Sequence, residues 1–421
     1  MPSQTLAQKL LAAASGRDAV APGDIVTCRV DLAMFHDSSG PRRLKPMLEA
    51  LGTGIWDRDK VVLVMDHYVP EADDESRKIV RIARDWAAEQ ALPHVYDSLG
   101  ICHVVVPEHG HIRPGMLCVG GDSHSPTGGA FGAYMFGVGS TEMLGVVASG
   151  EIWVQVPRTL MMRWDGILAP GVTAKDMMLH MIGRFGMNGG RYQAVEFCGE
   201  AVRALSMQER MTLSNMSAEI GSQVGLVAPD AKTAAYLKQA GVAHGVDIDR
   251  WQSDPDADAE RYAFDAASLA PHIAAPHSPA NSRPVTEYDA TPMQVAYIGA
   301  CTGAKLEDLR AAASILRHRH IAAGMSLMVA PASVRDQRQA ESEGVMAALV
   351  DAGATVLPNS CGACSGYGGS IPEGANVIAT TARNFQGRMG ARTAQVYLAS
   401  PYTVAAAAVA GHIVDPREML Q

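Results

Sequence analysis

The stretch PNSCGACSGYGG, residues 358–369, sets how this chain reads, together with YIGACTGAKLEDLR at 297–310. A thiolate is a soft ligand, suited to zinc and to iron–sulfur clusters. Gly362, Gly366, Gly368 and Gly369 surround Cys361 and Cys364 and let the backbone fold tightly around an inorganic ligand. Cys301 lies sixty residues upstream of the pair, so only the fold can bring it there. Three thiolates with no evident fourth ligand is an odd number for a structural site. It suits a [4Fe–4S] cluster with one iron open to substrate, acting as a Lewis acid rather than an electron carrier. A lone C-x-x-C is otherwise more often a redox pair or half a zinc site, so on the cysteines alone a zinc-binding structural protein stays open. Cys28, Cys102, Cys118 and Cys198 read as small buried hydrophobes, the first three in apolar, strand-like surroundings.

Composition narrows the classes. A chain of 421 residues suggests two or three domains with ample core. A hydrophobic fraction of 48% and a charged fraction of 19% fit a soluble globular protein. Net charge is -9 and there is no long basic run, which argues against nucleic acid or an anionic membrane as partner. Seven cysteines at irregular spacing are no disulfide framework, and a reducing cytoplasm is the expected location. Apolar runs are short and broken by glycine or charge, so no membrane span is expected. LLAAAS, residues 10–15, reads as part of an amphipathic helix rather than a signal peptide. Asn215-Met216-Ser217 matches a glycosylation acceptor but means nothing in a cytosolic protein.

Along the chain, strands alternate with helices. VVLVMDH, residues 61–67, is an apolar run with a polar end, as a buried parallel strand would be. ICHVVVPE and MLCVGGDSH repeat that pattern. EADDESRKIVRIARDWAAEQ, residues 71–90, carries acids first and bases later, which suits a helix. The predicted architecture is α/β, with function at the carboxyl ends of strands. Residues 1–156 form a first α/β domain. Residues 157–287 form a second, with helices over TAKDMMLHMIGRFG and DAKTAAYLKQAG, Gly241 stopping the latter. It closes in a Pro/Ala/Ser-rich stretch, 268–292, that reads as a linker. Residues 288–421 form a third α/β domain holding the three key cysteines.

Acid–histidine combinations recur at expected strand ends: Asp66-His67, then Asp122-Ser123-His124, with His103 between them and Glu219 further on. A carboxylate orients an imidazole and raises its basicity, which a general acid or base near neutral pH needs. Any single pair is more often a plain hydrogen bond; the recurrence carries the weight. GGAFGAYMFGVGSTEMLG, residues 128–145, lacks the third glycine of a dinucleotide fingerprint, so its glycines are expected to permit close backbone approach. Arg383 and Arg388 follow the cysteine pair and could bind carboxylates in bidentate fashion.

This combination resembles the aconitase superfamily, and within it the large subunits of two-subunit 3-isopropylmalate dehydratases. PGDIV, His36-Asp37, Asp66-His67, GICHVVVPE, GDSH, NMSAEIG, Cys301-Thr302, CGAC and RNFQGRMG carry the resemblance in order along nearly the whole chain. It implies three α/β/α domains around a central iron–sulfur site, with Cys301, Cys361 and Cys364 as ligands. It implies carboxylate–histidine pairs Asp66–His67, Asp122–His103 and Glu219–His124, with His67 protonating the departing hydroxyl. His36, Asp37, Ser123, Asn215, Arg383 and Arg388 match positions on the substrate side. Two motifs depart from the usual pattern. GSCTN is here Gly299-Ala300-Cys301-Thr302-Gly303, and Ala382 stands where SNRNF has its first asparagine. The resemblance also implies a swivelling domain carrying a proton-abstracting serine. No segment here resembles it, so a small-subunit partner is expected.

The implied activity is that of a hydro-lyase on a small hydroxy di- or tricarboxylate such as 3-isopropylmalate. A one-step hydratase for a maleate- or dimethylmaleate-like acid is the alternative within the family. A non-catalytic iron–sulfur regulator is the alternative outside it, and it would need only the ligands, not the acid–histidine pairs.

Overall fold

The computed structural model describes residues 2–242, 247–367 and 371–420. Gly368 and Gly369 of the cysteine segment lie outside the described residues. Among the described residues the fold is mixed α/β, with three sheets of five, four and seven strands and a two-stranded ribbon. The chain divides into two compact units. One comprises Met1–Asp97, Val105–Asp165 and Gly190–Phe264; the other comprises Ser98–Val104, Gly166–Gly189 and Asp265–Gln421.

The first unit holds an all-parallel sheet of β1 (Leu32–His36), β2 (Val61–Met65), β3 (His94–Asp97), β4 (Leu117–Gly120) and β5 (Tyr134–Gly137), in the order β3-β2-β1-β4-β5. Every residue of β2 is buried, as expected for a parallel strand covered on both faces. Helix α1 (Asp74–Glu89) starts where the Asp73 side chain accepts the Ser76 amide and Asp74 and Glu75 sit in the first turn. Its buried Ile79, Val80, Ala83, Trp86 and Ala87 recur at helical spacing.

ICHVVVPE is not a strand. Residues Cys102–Glu108 form helix α2. Ile101 through Val106 are all buried, and a short run buried on every side has no periodicity to separate helix from strand. Cys102 is therefore helical, while Cys28 and Cys118 do lie in strands. A second sheet in this unit joins β6 (Thr159–Asp165), β7 (Ala194–Cys198), β8 (Val224–Val227) and β9 (Glu260–Asp265) in the order β8-β7-β6-β9.

The second unit includes α3 (Ala174–Phe185), capped by Thr173, and a seven-stranded sheet. Its strands are β10 (His272–Ala274), β11 (Ser282–Pro284), β12 (Val295–Ile298), β13 (Ser326–Val329), β14 (Ala354–Val356), β15 (Asn376–Ala379) and β16 (Gln395–Leu398), in the order β11-β10-β16-β15-β12-β13-β14. The strands from β12 to β16 pair in parallel. Helix α4 (Leu306–Leu316) follows β12.

The stretch read as a linker contributes β10 and β11. Ala274 pairs with Leu398, and the Asn384 amide group donates to the carbonyls of Ala274, Ala275 and Val396 at 3.3, 2.8 and 3.0 Å. The prolines mislead here because Pro284 sits on an edge strand, where a missing N–H is tolerated. Among the described residues no helix is long and apolar enough to cross a membrane.

Candidate active site

In the first unit the acid–histidine residues gather at one edge of the five-stranded sheet. β2, β1 and β4 are adjacent and parallel, so the residues following them share the carboxyl edge. His36 ends β1, Asp66-His67 follows β2 and Asp122-Ser123-His124 follows β4. His67 Nδ1 is 2.6 Å from Asp66 Oδ1, and the His67 ring stacks on His36 with centroids 3.9 Å apart.

Asp37 is fully buried, with 0% exposure. Its Oδ1 accepts the amides of Ser38 (3.0 Å) and His67 (3.1 Å), and its Oδ2 accepts the amide of Tyr68 (2.7 Å). It is thus spent on holding the backbone that carries His67, rather than turned outward as the resemblance suggested. Burial, then the nearby Asp66 charge, push Asp37 up to about 6 against the opposing pull of His67 and the backbone amides. Burial alone would pull His67 down. The Asp66 charge and hydrogen bond, with Asp37 and Asp122, overcome it and push His67 up to about 9.

His124 is oriented from the other ring nitrogen: its Nε2 is 2.9 Å from Glu219 Oε1. Asp122 Oδ1 accepts the His124 amide at 2.7 Å, and its Oδ2 lies 3.9 Å from His36 Nε2. Glu219 belongs to the 3-10 turn Ser217–Ile220 after the helix Met207–Met216. Asn215, buried at the end of that helix, donates to Thr127 Oγ1 at 2.8 Å, so it is no glycan acceptor. The glycine-rich stretch does what close approach requires: a Cβ on Gly129 would meet the Gly225 carbonyl oxygen at 1.8 Å. Ser123 is exposed.

In the second unit Cys301 follows β12, the Cys361–Cys364 turn follows β14, and Arg383 and Arg388 follow β15. These strands are parallel members of one sheet, so their loops share its carboxyl edge. Cys301 and Cys364 are buried at 7% and 6% exposure. A Cβ on Gly366 would meet Gly390 N at 2.9 Å and the Arg388 carbonyl oxygen at 3.2 Å, so the cysteine turn packs directly on the arginine loop. Both arginines are half-buried. His103, buried near the start of α2, also belongs to this unit.

The pattern of the Aconitase family (aconitate hydratase) matches residues 8–292 and 286–411. The chain belongs to the aconitase family. Its curated relatives include 3-isopropylmalate dehydratase large subunit 1 of Methanopyrus kandleri, 42% identical over 99% of this chain and 100% of the relative. The 3-isopropylmalate dehydratase large subunit of Desulfatibacillum aliphaticivorans is 40% identical over 99% of both chains. A probable 3-isopropylmalate dehydratase large subunit of Methanothermobacter thermautotrophicus is 41% identical over 98% of this chain and 99% of its own.

The residues of this aconitase-family chain fit a thiolate-held cluster. All three thiols act electrostatically on the hydroxyl of Tyr297, at 0% exposure, and that hydroxyl has no hydrogen-bond partner among the described residues. A sulfur-rich group beside it would supply the acceptor that a buried phenol needs. The other cysteines behave as apolar filler: burial pushes the thiols of Cys28 and Cys198 up to about 11 and that of Cys118 well above the ordinary range.

Besides Tyr297, sequence reading missed Lys175, Lys305 and Thr380. Lys175, on α3, is buried and donates to Thr302 Oγ1 (3.2 Å) and to the carbonyls of Thr380 (2.5 Å) and Thr381 (2.9 Å). Lys305 donates to the Cys301 carbonyl at 3.1 Å and to Asp308 at 2.7 Å. Thr380 takes the Gly299 amide and donates to the Gly299 carbonyl, both at 2.8 Å. For Lys175 a signal existed: it sits inside TAKDMMLHMIG, where the helix period puts it on the apolar face.

Proposed function

We propose that this chain is the large, catalytic subunit of a two-subunit hydro-lyase that reversibly dehydrates a small hydroxy di- or tricarboxylate such as 3-isopropylmalate. What supports it best is the hydrogen-bonded Asp66–His67 pair on a chain similar, end to end, to proteins named as 3-isopropylmalate dehydratase large subunits. Cys301, Cys361 and Cys364 would hold a [4Fe–4S] cluster. When bound, that cluster supplies a Lewis acid, through an iron left without a thiolate, that weakens the bond to the substrate hydroxyl.

The chain's own residues manage protons and charge. Asp66 engages Nδ1 of His67, which leaves the Nε2 proton for the departing hydroxyl. A ring pushed up to about 9 carries that proton at neutral pH. Asp37 fixes the loop on which the ring rides. Glu219 holds Nε2 of His124, and the ring's Nδ1 lies 3.6 Å from Asp122 Oδ1, so the ring is braced from both sides. Asp122 pairs with His103 in the same reading. His36, Ser123 and Asn215 shape the substrate side, and Arg383 and Arg388 bind its carboxylates in bidentate fashion. The proton on carbon is taken by a serine of a small, swivelling partner subunit. The location is the cytoplasm, where thiols stay reduced.

A second reading, a one-step hydratase for a maleate- or dimethylmaleate-like acid, is favoured by Gly303 and Ala382. A Cβ at 303 would meet Thr380 Cβ at 2.2 Å, so the asparagine usual there has no room. With both asparagines absent the site offers two fewer polar contacts, which fits a small dicarboxylate other than 3-isopropylmalate.

The test is turnover of 3-isopropylmalate and of dimethylmaleate by the chain reconstituted anaerobically and mixed with candidate small subunits. Turnover of the first supports the leading reading. Exclusive turnover of the second replaces it. A chain that takes up no iron and sulfide, or full activity without a partner, overturns it.

A further inference from the structure

Lys175 poses an electrostatic problem. Its side chain is 1% exposed, and among the described residues its ammonium donates only to neutral oxygens: the Thr302 hydroxyl and the carbonyls of Thr380 and Thr381. A buried ammonium without an anion is costly and persists only where charge is supplied nearby. Asp308, a carboxylate that favours its charged form, is already bonded to Lys305 at 2.7 Å. The remaining groups that favour the ammonium are Cys301 and Cys364. Burial, helped by the neighbouring Lys305 charge, still pulls Lys175 down to about 7 against these groups. Its acceptors are also telling. Thr302 adjoins Cys301, while Thr380 and Thr381 begin the loop that carries Arg383.

We propose that Lys175 is the buried counter-charge of the three-thiolate group. It ties the cysteine loop to the arginine loop and raises the reduction potential of the cluster held there. This rests on the iron–sulfur reading given above. Three thiolates and a cluster core carry net negative charge, and adding an electron makes it larger. A fixed cation close by stabilises the reduced form more than the oxidised one. Lys175 is a positioning residue: it reaches the reaction only through the loops and the charge on the sulfurs.

The test compares the full-length chain with K175M, K175Q and K175R after anaerobic reconstitution with iron and sulfide. Cluster content is read by absorbance, and the midpoint potential by redox titration followed by electron paramagnetic resonance. The expected result is a negative shift of the midpoint in K175M and K175Q, several-fold faster bleaching of both in air, and a K175R midpoint close to wild type. Equal midpoints in wild type and the loaded neutral variants overturn the proposal. If the neutral variants take up no cluster at unchanged circular dichroism while K175R does, the charge requirement is supported. If K175R fails as completely as K175M, shape rather than charge is at work, and the proposal falls. A wild-type chain that binds no cluster overturns the iron–sulfur reading itself, which separates the two failures.

Discussion

Replacing Asp66 by asparagine removes one charge from a buried group and leaves the shape almost unchanged. His67 stands at about 9 against an ordinary 6.5, the result of burial pulling down and Asp66, Asp37 and Asp122 pushing up. Asp66 supplies both the first charge contribution and the hydrogen bond, at 2.6 Å. Raising the ring from 6.5 to about 9 corresponds to about 3–4 kcal/mol, an upper bound because the Asp66 carboxylate is itself desolvated. The raised value means the folded chain holds the proton more tightly than the unfolded one. The stabilisation is therefore complete below pH 6.5 and disappears as pH rises through about 9. Two measurements check this on the cluster-free chain. Nuclear magnetic resonance of the histidine ring carbons should show the His67 midpoint falling from about 9 to the ordinary imidazole range or below it in Asp66→Asn. Denaturant unfolding should show the variant less stable by up to about 3–4 kcal/mol at pH 6, with the gap closing above pH 9. Asp37 should titrate lower in the variant, because the neighbouring negative charge is gone. A His67 midpoint that stays near 9 in Asp66→Asn refutes this account of the site.

Other outcomes follow from the same geometry. His67→Asn, loaded and combined with the partner subunit, should lose about 10²–10⁴-fold in turnover per cluster with little change in KM; unchanged turnover would remove His67 from the acid's role. Cys301→Ala and Cys364→Ala should abolish the brown chromophore on reconstitution, whereas Cys28→Ala and Cys118→Ala should keep it, which absorbance after desalting decides. Gly129→Ala places a methyl group 1.8 Å from the Gly225 carbonyl oxygen and should cost about 1–3 kcal/mol in unfolding experiments.

Much of the site was legible because its chemistry follows strands whose apolar runs end abruptly in polar residues. VVLVM before Asp66 and LCVG before Asp122 needed no tertiary information. The cysteines were legible by residue type, since no other side chain offers a soft anion in such a glycine-rich setting. What escaped depends on three-dimensional neighbours. Ile101–Val106 is buried on all sides, so hydrophobicity alone does not separate helix from strand. The 268–292 stretch looks like a linker by composition, yet short edge strands need little composition to form. Asp37 was read as facing substrate; the amides of Ser38, His67 and Tyr68 that claim it are a matter of loop geometry. Lys175 and Tyr297 look like ordinary members of a helix and a strand until the fold places them beside the cysteines.

The close approach of Gly303 to Thr380 also constrains what position 303 can hold. Thr380 cannot swing aside freely, since its hydroxyl is tied twice to Gly299 and its carbonyl receives Lys175. A side chain at 303 would be driven into that knot, so Gly303→Asn alone is expected to disturb the Lys175 anchor as well as the turn itself. Room for a larger residue at 303 would have to be made at Thr380 first, which makes the two positions a coupled pair.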